Sequence, residues 1–262
     1  MPKAMNRNMI LTMNIGNTNF AQALMDGRCI HRRRTQIESF EGVRDFEDAI
    51  YRILAEGKID PEKITGTVFA SVNPYLSAYL EEAVIKVLSK PPVIISPFLN
   101  IKLDLAGYEV SDIGNDRIAV CEAAISKFHA PLIVFDFGTA TTINIVDSQG
   151  RFLGGSIMPG LMMGVGALAK DTAQLPKTEL SAYTPLMGRN ARECIASGAV
   201  FGNASMLEGM VRRINEKLGQ KAKVIITGGN ADYIIPLCNI PVAHEPDLLF
   251  EGLLVIYRAN KN

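Results

Sequence analysis

The stretch Phe135-Asp136-Phe137-Gly138-Thr139-Ala140-Thr141 has a counterpart near the N-terminus, Met13-Asn14-Ile15-Gly16-Asn17-Thr18-Asn19. Each copy sets a short polar side chain between two apolar residues and then reaches glycine and a hydroxyl-bearing turn, the pattern of a strand running into a tight hairpin. Working outward from the first copy, strands are expected at Asn8 to Ile15, Asn19 to Met25 and Arg28 to Arg34, separated by Gly16-Asn17 and Asp26-Gly27. Helical spacing of Val43, Phe46, Ile50, Ile53 and Leu54 follows over Glu41 to Glu56, then a strand at Ile64 to Ser71, a helix opened by Pro74, and a short strand at Val93 to Ser96. Outward from the second copy the order repeats. Strands are expected at Leu132 to Phe137, Thr141 to Asp147 and Arg151 to Met158, and a helix after Pro159-Gly160. Arg189 to Gly219 reads as helical with a break near Gly198 or Gly202, Lys223 to Thr227 as a strand, and Pro246 to Arg258 as a closing helix. A duplicated βββαβα unit predicts two α/β lobes facing a cleft. Glycine in each turn lets backbone amides approach a phosphate, so two such turns suit a polyphosphate held from both sides.

Composition sets the bounds. The 262 residues carry 27 Lys plus Arg against 27 Asp plus Glu, so there is no general electrostatic pull toward nucleic acid or an anionic membrane surface. With 48% apolar and 21% charged residues the chain has the material for a packed core, and disorder as its main state is excluded. No apolar run approaches the ~20 residues of a membrane-spanning helix. The N-terminal MPKAMNRNMILTMNIG shows no cleavage pattern and reads as mature protein. Cys29, Cys121, Cys194 and Cys238 are far apart, which argues against a structural zinc site or a disulfide framework; buried apolar packing is the expectation for all four, in a reducing cytoplasm.

The paired motifs Asn14 to Thr18 and Asp136 to Thr142 resemble the two phosphate motifs of the actin-like ATPase superfamily, with its ribonuclease H-like lobes. Within it the chain is similar to type III pantothenate kinases, through SVNP at Ser71 to Pro74, GNDR at Gly114 to Arg117, GGSIMPG at Gly154 to Gly160, TAQLP at Thr172 to Pro176, SGAVFG at Ser197 to Gly202, TGG at Thr227 to Gly229 and EGL at Glu251 to Leu253. These blocks run in the family's order along nearly the whole chain. The division expected is residues 1–117 as a lobe with the first phosphate turn, and residues 118–262 as a lobe with the second turn and a dimer contact.

The resemblance implies ATP-dependent phosphorylation of pantothenate to 4′-phosphopantothenate, opening coenzyme A synthesis, with magnesium and with potassium or ammonium, in a cytoplasmic homodimer. Asp116 corresponds to the base that takes the acceptor hydroxyl's proton. Tyr108, Gly114, Asn115, Arg117 and Ala191 correspond to acceptor-binding positions. Asn14, Ile15, Gly16, Asn17, Thr18, Asn19, Gly138 and Thr139 correspond to ATP-binding ones, and Asp136 to the monovalent-cation ligand. By itself an Asp-Arg dipeptide reads as a solvated surface pair. Two positions depart from the family: Asn14 stands where it has aspartate, and Ala191 where it usually has threonine. Those departures leave open a kinase for another small hydroxylated acceptor, or a non-catalytic nucleotide- or pantothenate-binding regulatory protein. Gly164-Val165-Gly166-Ala167-Leu168-Ala169 fits a dinucleotide fingerprint but lacks the preceding strand, so it reads as helix packing. The basic run His31-Arg32-Arg33-Arg34 reads as a solvated strand edge.

Overall fold

Both copies of the repeated stretch form hairpins, and in the computed structural model, which describes residues 8–181 and 183–261, each hairpin founds a five-stranded sheet. The reading of residues 1–7 as mature chain lies outside the described residues. In the first sheet β1 (Met9–Ile15) pairs antiparallel with β2 (Asn19–Met25), which pairs antiparallel with β3 (Cys29–Gln36). After α1 (Val43–Gly57), β4 (Ile64–Ser71) joins the other side of β1 in parallel; α2 (Pro74–Leu88) follows, and β5 (Val93–Ile94) completes the order β3-β2-β1-β4-β5. After α3 (Asn115–Lys127) the second sheet repeats the plan with β6 (Leu132–Phe137), β7 (Ala140–Val146) and β8 (Phe152–Pro159), then α4 (Leu161–Asp171), α5 (Ala191–Leu218), β9 (Lys223–Thr227), α6 (Ala231–Ile234) and β10 (Ala243–His244). Its order, β10-β9-β6-β7-β8, is the first order read from the other edge. The duplication expected from the sequence is present strand for strand.

One face of the first sheet carries Leu11, Met13, Ile15, Phe20, Leu24 and Phe69 against α1 and α2; Phe20 meets Phe46 edge-on with ring centroids 5.1 Å apart. The opposite face is covered by α3 and by α7 (Leu248–Asn260), which pack closely because Gly252 leaves no side chain against the Ala119 backbone. Burying side chains of this size contributes roughly 1.5–3 kcal/mol each. In the second sheet Ile133, Phe135, Phe137, Ile143 and Ile226 pack against Leu207, Val211 and Ile214 of α5.

Three expectations are corrected. A boundary between residues 117 and 118 falls inside α3, and the division found is Met1–Leu105, Glu109–Lys127 and Asp247–Asn262 as one unit against Ala106–Tyr108 and Phe128–Pro246 as the other. The reason is physical: α3 buries Ile118, Ala119, Val120 and Cys121 and shares its face with α7, so both helices belong with the first sheet. Secondly, α5 runs unbroken for 28 residues. Helical glycine costs about 1 kcal/mol relative to alanine, and here the buried Ala204, Leu207, Val211 and Ile214 with the Asn190 cap, whose Oδ1 accepts the Glu193 N–H at 3.0 Å, outweigh it. Thirdly, only Cys121 is fully buried, its thiol pushed up to about 12 by desolvation, while Cys194 is exposed. The glycines of the 164–169 stretch lie on α4 as expected, but no packing neighbour comes within 4 Å of where their side chains would begin.

Candidate active site

The first turn is held from three directions. Gly16 N–H donates to the Asn19 carbonyl at 2.9 Å, Ile37 N–H to the Thr18 carbonyl at 3.0 Å, and Val72 N–H to the Ile15 carbonyl at 3.0 Å. That last bond ties the turn to the Ser71-Val72-Asn73-Pro74 block, where Asn73 Oδ1 accepts the Tyr75 and Leu76 amides and caps α2. Asn115 Nδ2 in turn donates to the Ser71 carbonyl at 3.4 Å, so blocks more than forty residues apart, as the 44-residue separation of that pair records, meet in one place. Asn14 sits beneath this turn at the end of β1, 8% exposed, with its Oδ1 buried and without a hydrogen-bond partner.

Asp116 and Arg117 are not a surface pair. They occupy the first turn of α3, where a carboxylate suits the helix N-terminus, and Arg117 is buried. Asp116 Oδ1 accepts the Arg117 amide at 2.8 Å and leans back over Gly114, where a β-carbon would come within 2.5 Å of it. Desolvation raises the Asp116 carboxyl above its ordinary value, and the Arg117 amide and charge oppose that rise. The result is a half-buried carboxylate of increased basicity. Deeper in α3 the buried Glu122 accepts the Leu103 amide at 2.6 Å, anchoring the segment that precedes the helix.

The second turn is one residue tighter, with Gly138 N–H donating to the Ala140 carbonyl at 3.1 Å. Its surroundings are more crowded. Asn230 Nδ2 reaches the Gly138 carbonyl at 3.0 Å, Asn230 N–H the Phe137 carbonyl at 3.0 Å, and Gly160 N–H the Thr139 carbonyl at 3.1 Å. Gly228, at φ +95°, lies so close that a β-carbon there would overlap the Asp136 carboxylate and come within 2.5 Å of Phe137 C. Asp136 pairs in register with Thr142 on β7 and Thr227 on β9, giving a row of oxygen-bearing side chains on one face of the sheet. Carboxylate with hydroxyl oxygens is hard-cation chemistry. Gly160, Gly228 and Asn230 were not named as site residues from the sequence; the signal was Thr227-Gly228-Gly229-Asn230 directly after a strand, a turn whose positive φ only glycine takes freely.

Gly114, Asn115, Asp116 and Arg117 thus join Asn14 through Asn19 in the first unit, and Asp136, Gly138 and Thr139 lie together in the second. Tyr108 belongs with the second unit, its ring edge-on to Phe152 at 4.9 Å and seated over Gly154. Ala191, also in the second unit, opens α5 and lines a cavity of about 570 Å³ with Gly160, Leu161, Gly164 and Cys194.

A family model for type III pantothenate kinases matches residues 10–213. The type III pantothenate kinase of Exiguobacterium sibiricum is 33% identical over 254 residues, covering 97% of this chain and all of that one. That of Moorella thermoacetica is 33% identical over 253 residues, covering 96% and 100%. Among solved structures, a conserved putative Baf family transcriptional activator from Campylobacter jejuni superposes with TM-score 0.62 at 20% identity, covering 95% of this chain and 98% of that one. MreB 5 of Spiroplasma citri, bound to AMPPNP, superposes with TM-score 0.56 at 10% identity, covering 96% of each chain, which bears on the fold alone.

Proposed function

The chain belongs to the type III pantothenate kinase family, whose reaction is ATP-dependent phosphorylation of pantothenate in coenzyme A synthesis, and from that premise we propose how its residues divide the work. The observation that carries the reading is the junction of the first turn, Ser71 and the Asn115-Asp116 segment, because it sets a carboxylate of raised basicity beside a phosphate-type turn. Asp116 takes the proton of the acceptor's primary hydroxyl as that oxygen bonds to the γ-phosphorus of ATP and the bond to the β–γ bridging oxygen breaks, releasing ADP. Arg117, Gly114 and Asn115 in the first unit are acceptor-binding positions by the family match, as are Tyr108 and Ala191 in the second. Asn14, Ile15, Gly16, Asn17, Thr18 and Asn19, with Gly138 and Thr139, hold the phosphates through backbone amides and hydroxyls.

Magnesium supplies, when bound, neutralisation of the β- and γ-oxygens. The buried, unpartnered Asn14 Oδ1 suits a water ligand of such an ion, since magnesium keeps several of its waters. The oxygen row at Asp136, Thr142 and Thr227 suits potassium or ammonium. A homodimer is supported by the exposed Leu153 and Ile157 on the edge strand β8 and Met162, Met163 and Leu168 on α4, apolar side chains of the kind a subunit contact covers. No helix among the described residues is long and apolar enough to cross a membrane, and a cytoplasmic location agrees with the metabolic role.

The test is direct. Protein, ATP, magnesium, potassium and pantothenate should yield 4′-phosphopantothenate by mass spectrometry. ATP turnover with other alcohols but not pantothenate would replace the acceptor, and nucleotide binding without any turnover would make the chain a regulatory binder. Neither alternative is favoured by the family match.

A further inference from the structure

Two acidic side chains are buried among the described residues, and they are satisfied differently. Asp147 is paired with Arg151 at 2.7 Å. Glu122, 1% exposed, sits on α3 between the buried Cys121 and Ala123 and forms no ion pair among the described residues. Its carboxylate accepts backbone amides instead, those of Leu103, at 2.6 Å, and Lys102. Desolvation raises the carboxyl above its ordinary value, and the two amides oppose that rise. A buried carboxylate without a cation costs stability where an apolar side chain of similar size would not, so the packing of α3 gives no reason for it. What Glu122 does is grip consecutive amides of a segment that has little structure of its own.

That segment joins β5 to α3. Residues 101–114 form no strand or α-helix, only a single 3-10 turn at Val110–Asp112. Just upstream, Asn100 is fixed to the end of α7: its N–H donates to Asn260 Oδ1 at 2.8 Å, and Asn260 Nδ2 donates to the Asn100 carbonyl at 2.9 Å. Glu122 takes the backbone two residues later. The bond from Leu103 to Glu122 closes a loop whose ends are 19 residues apart. Inside that loop lie Tyr108, Gly114, Asn115, Asp116 and Arg117, which are all the acceptor-side positions except Ala191. Asp116 and Arg117 ride on the helix, while Tyr108 and Gly114 ride on the segment.

We propose that Glu122 is a positioning residue for acceptor binding, clasping the Lys102-Leu103 backbone to α3 and so setting the course of the segment that leads through Tyr108 to Gly114. The proposal rests on the kinase reading above, in which those positions bind the acceptor. No proton or phosphoryl group passes through Glu122. Its carboxylate has acceptor sites for both amides at once; glutamine turns one of its oxygens into a donor and weakens the grip, and leucine abolishes it. Because the base is held by the helix itself, releasing the clasp should act on holding the acceptor and spare the transfer step.

The test combines kinetics with pantothenate varied at saturating ATP, calorimetric titration with ATP, thermal melting, and hydrogen–deuterium exchange of the full chain without acceptor. In Glu122→Leu the KM for pantothenate should rise about 10- to 100-fold, as displacement of binding groups by up to about 1 Å implies, with kcat and ATP affinity held within about twofold. Peptides covering residues 101–114 should exchange faster, while melting stays at or above the wild-type temperature. Glu122→Gln should lie between wild type and leucine in both KM and exchange, and it decides alone if the leucine variant does not fold. A wild-type KM with a lowered melting temperature would overturn the proposal by making Glu122 structural only. So would a loss shared equally with ATP affinity, or a fall confined to kcat. The two levels fail separately: a wild-type chain that does not phosphorylate pantothenate would sink the acceptor reading, whereas unchanged exchange over 101–114 in both variants would sink the clasp.

Discussion

The two repeated turns are built on one sheet plan and differ in length, charge and surroundings: Gly16 N–H bonds to Asn19 three residues on, Gly138 N–H to Ala140 two residues on. At the second, Asp136 carries a carboxylate between Thr142 and Thr227, and Gly160, Gly228 and Asn230 close around the loop. At the first, Asn14 is neutral, its Oδ1 is buried without a partner, and the nearest atom to a β-carbon on Gly16 would be the Asn19 carbonyl at an ordinary 3.4 Å. One sheet plan thus supports two turns, one following a carboxylate with Gly160, Gly228 and Asn230 closed around it, the other following a neutral amide and tied to Ile37 and Val72. Duplication copies the strand order around each turn, while the closing bond, Gly16 to Asn19 against Gly138 to Ala140, and the polar side chain before the turn diverge.

The largest effect should come from filling the crowded turn. Gly228→Ala sets a β-carbon against Asp136 and Phe137 at a φ that alanine resists, and displacement of the turn by about 1 Å should cost about 100-fold in kcat/KM for ATP. A variant with wild-type kinetics would show that the packing around Asp136 has no functional weight. Next, Asp136→Asn makes the second turn electrostatically like the first. Activation by potassium at constant ionic strength should disappear and turnover should fall roughly tenfold or more, as loss of a close charge pair at an effective dielectric near 20 implies. Retained potassium dependence would remove Asp136 from cation binding.

The converse change, Asn14→Asp, makes the first turn like the second. It should strengthen apparent magnesium affinity about tenfold and leave the KM for pantothenate alone. Because it buries a carboxylate where the Asn14 Oδ1 has no hydrogen-bond donor, the variant should melt lower than wild type without magnesium nucleotide and recover when it is added. Equal magnesium titrations for the two proteins would contradict the assignment. The smallest effect is expected from Gly16→Ala, whose folding stability should stay within about 0.5 kcal/mol by thermal melting; a large drop would mean the first turn is as tightly packed as the second.

Much of this was legible in the sequence for a local reason. Hairpin signals at Gly16-Asn17 and Gly138-Thr139, with apolar alternation on either side, specify strands and turns within a few residues, and repetition of the pattern points to a duplicated βββαβα unit, while the order of strands in each sheet comes from the structure. What escaped depends on distant contacts. The α3 helix was not read because its apolar residues face two neighbours, α7 and the sheet, so that its periodicity is blurred. The Asp-Arg dipeptide alone suggests a surface pair, and Arg117 reads as an acceptor-binding position only through the family motif, because its burial depends on that packing. Arg34 could not be told from Arg32 and Arg33, since only β-register shows that one faces Glu56, one Asp247 and one an alanine. Ala191 and Tyr108 could be placed by motif, yet the cavity beside one and the Phe152 contact of the other follow from helices and strands far away in the chain.

Single-turnover transfer from ATP to pantothenate, followed across pH in the wild type and in Asp116→Asn with ATP affinity measured in parallel, tests the central assignment. A base must be ionised to act, and desolvation raises Asp116, so wild-type transfer should fall as pH drops through a value above the ordinary 3.8 of an aspartate. Asp116→Asn should lose ~10²–10⁴-fold of the transfer rate and that acid limb, with ATP affinity unchanged. Transfer at the wild-type rate in a well-folded Asp116→Asn protein would contradict the account.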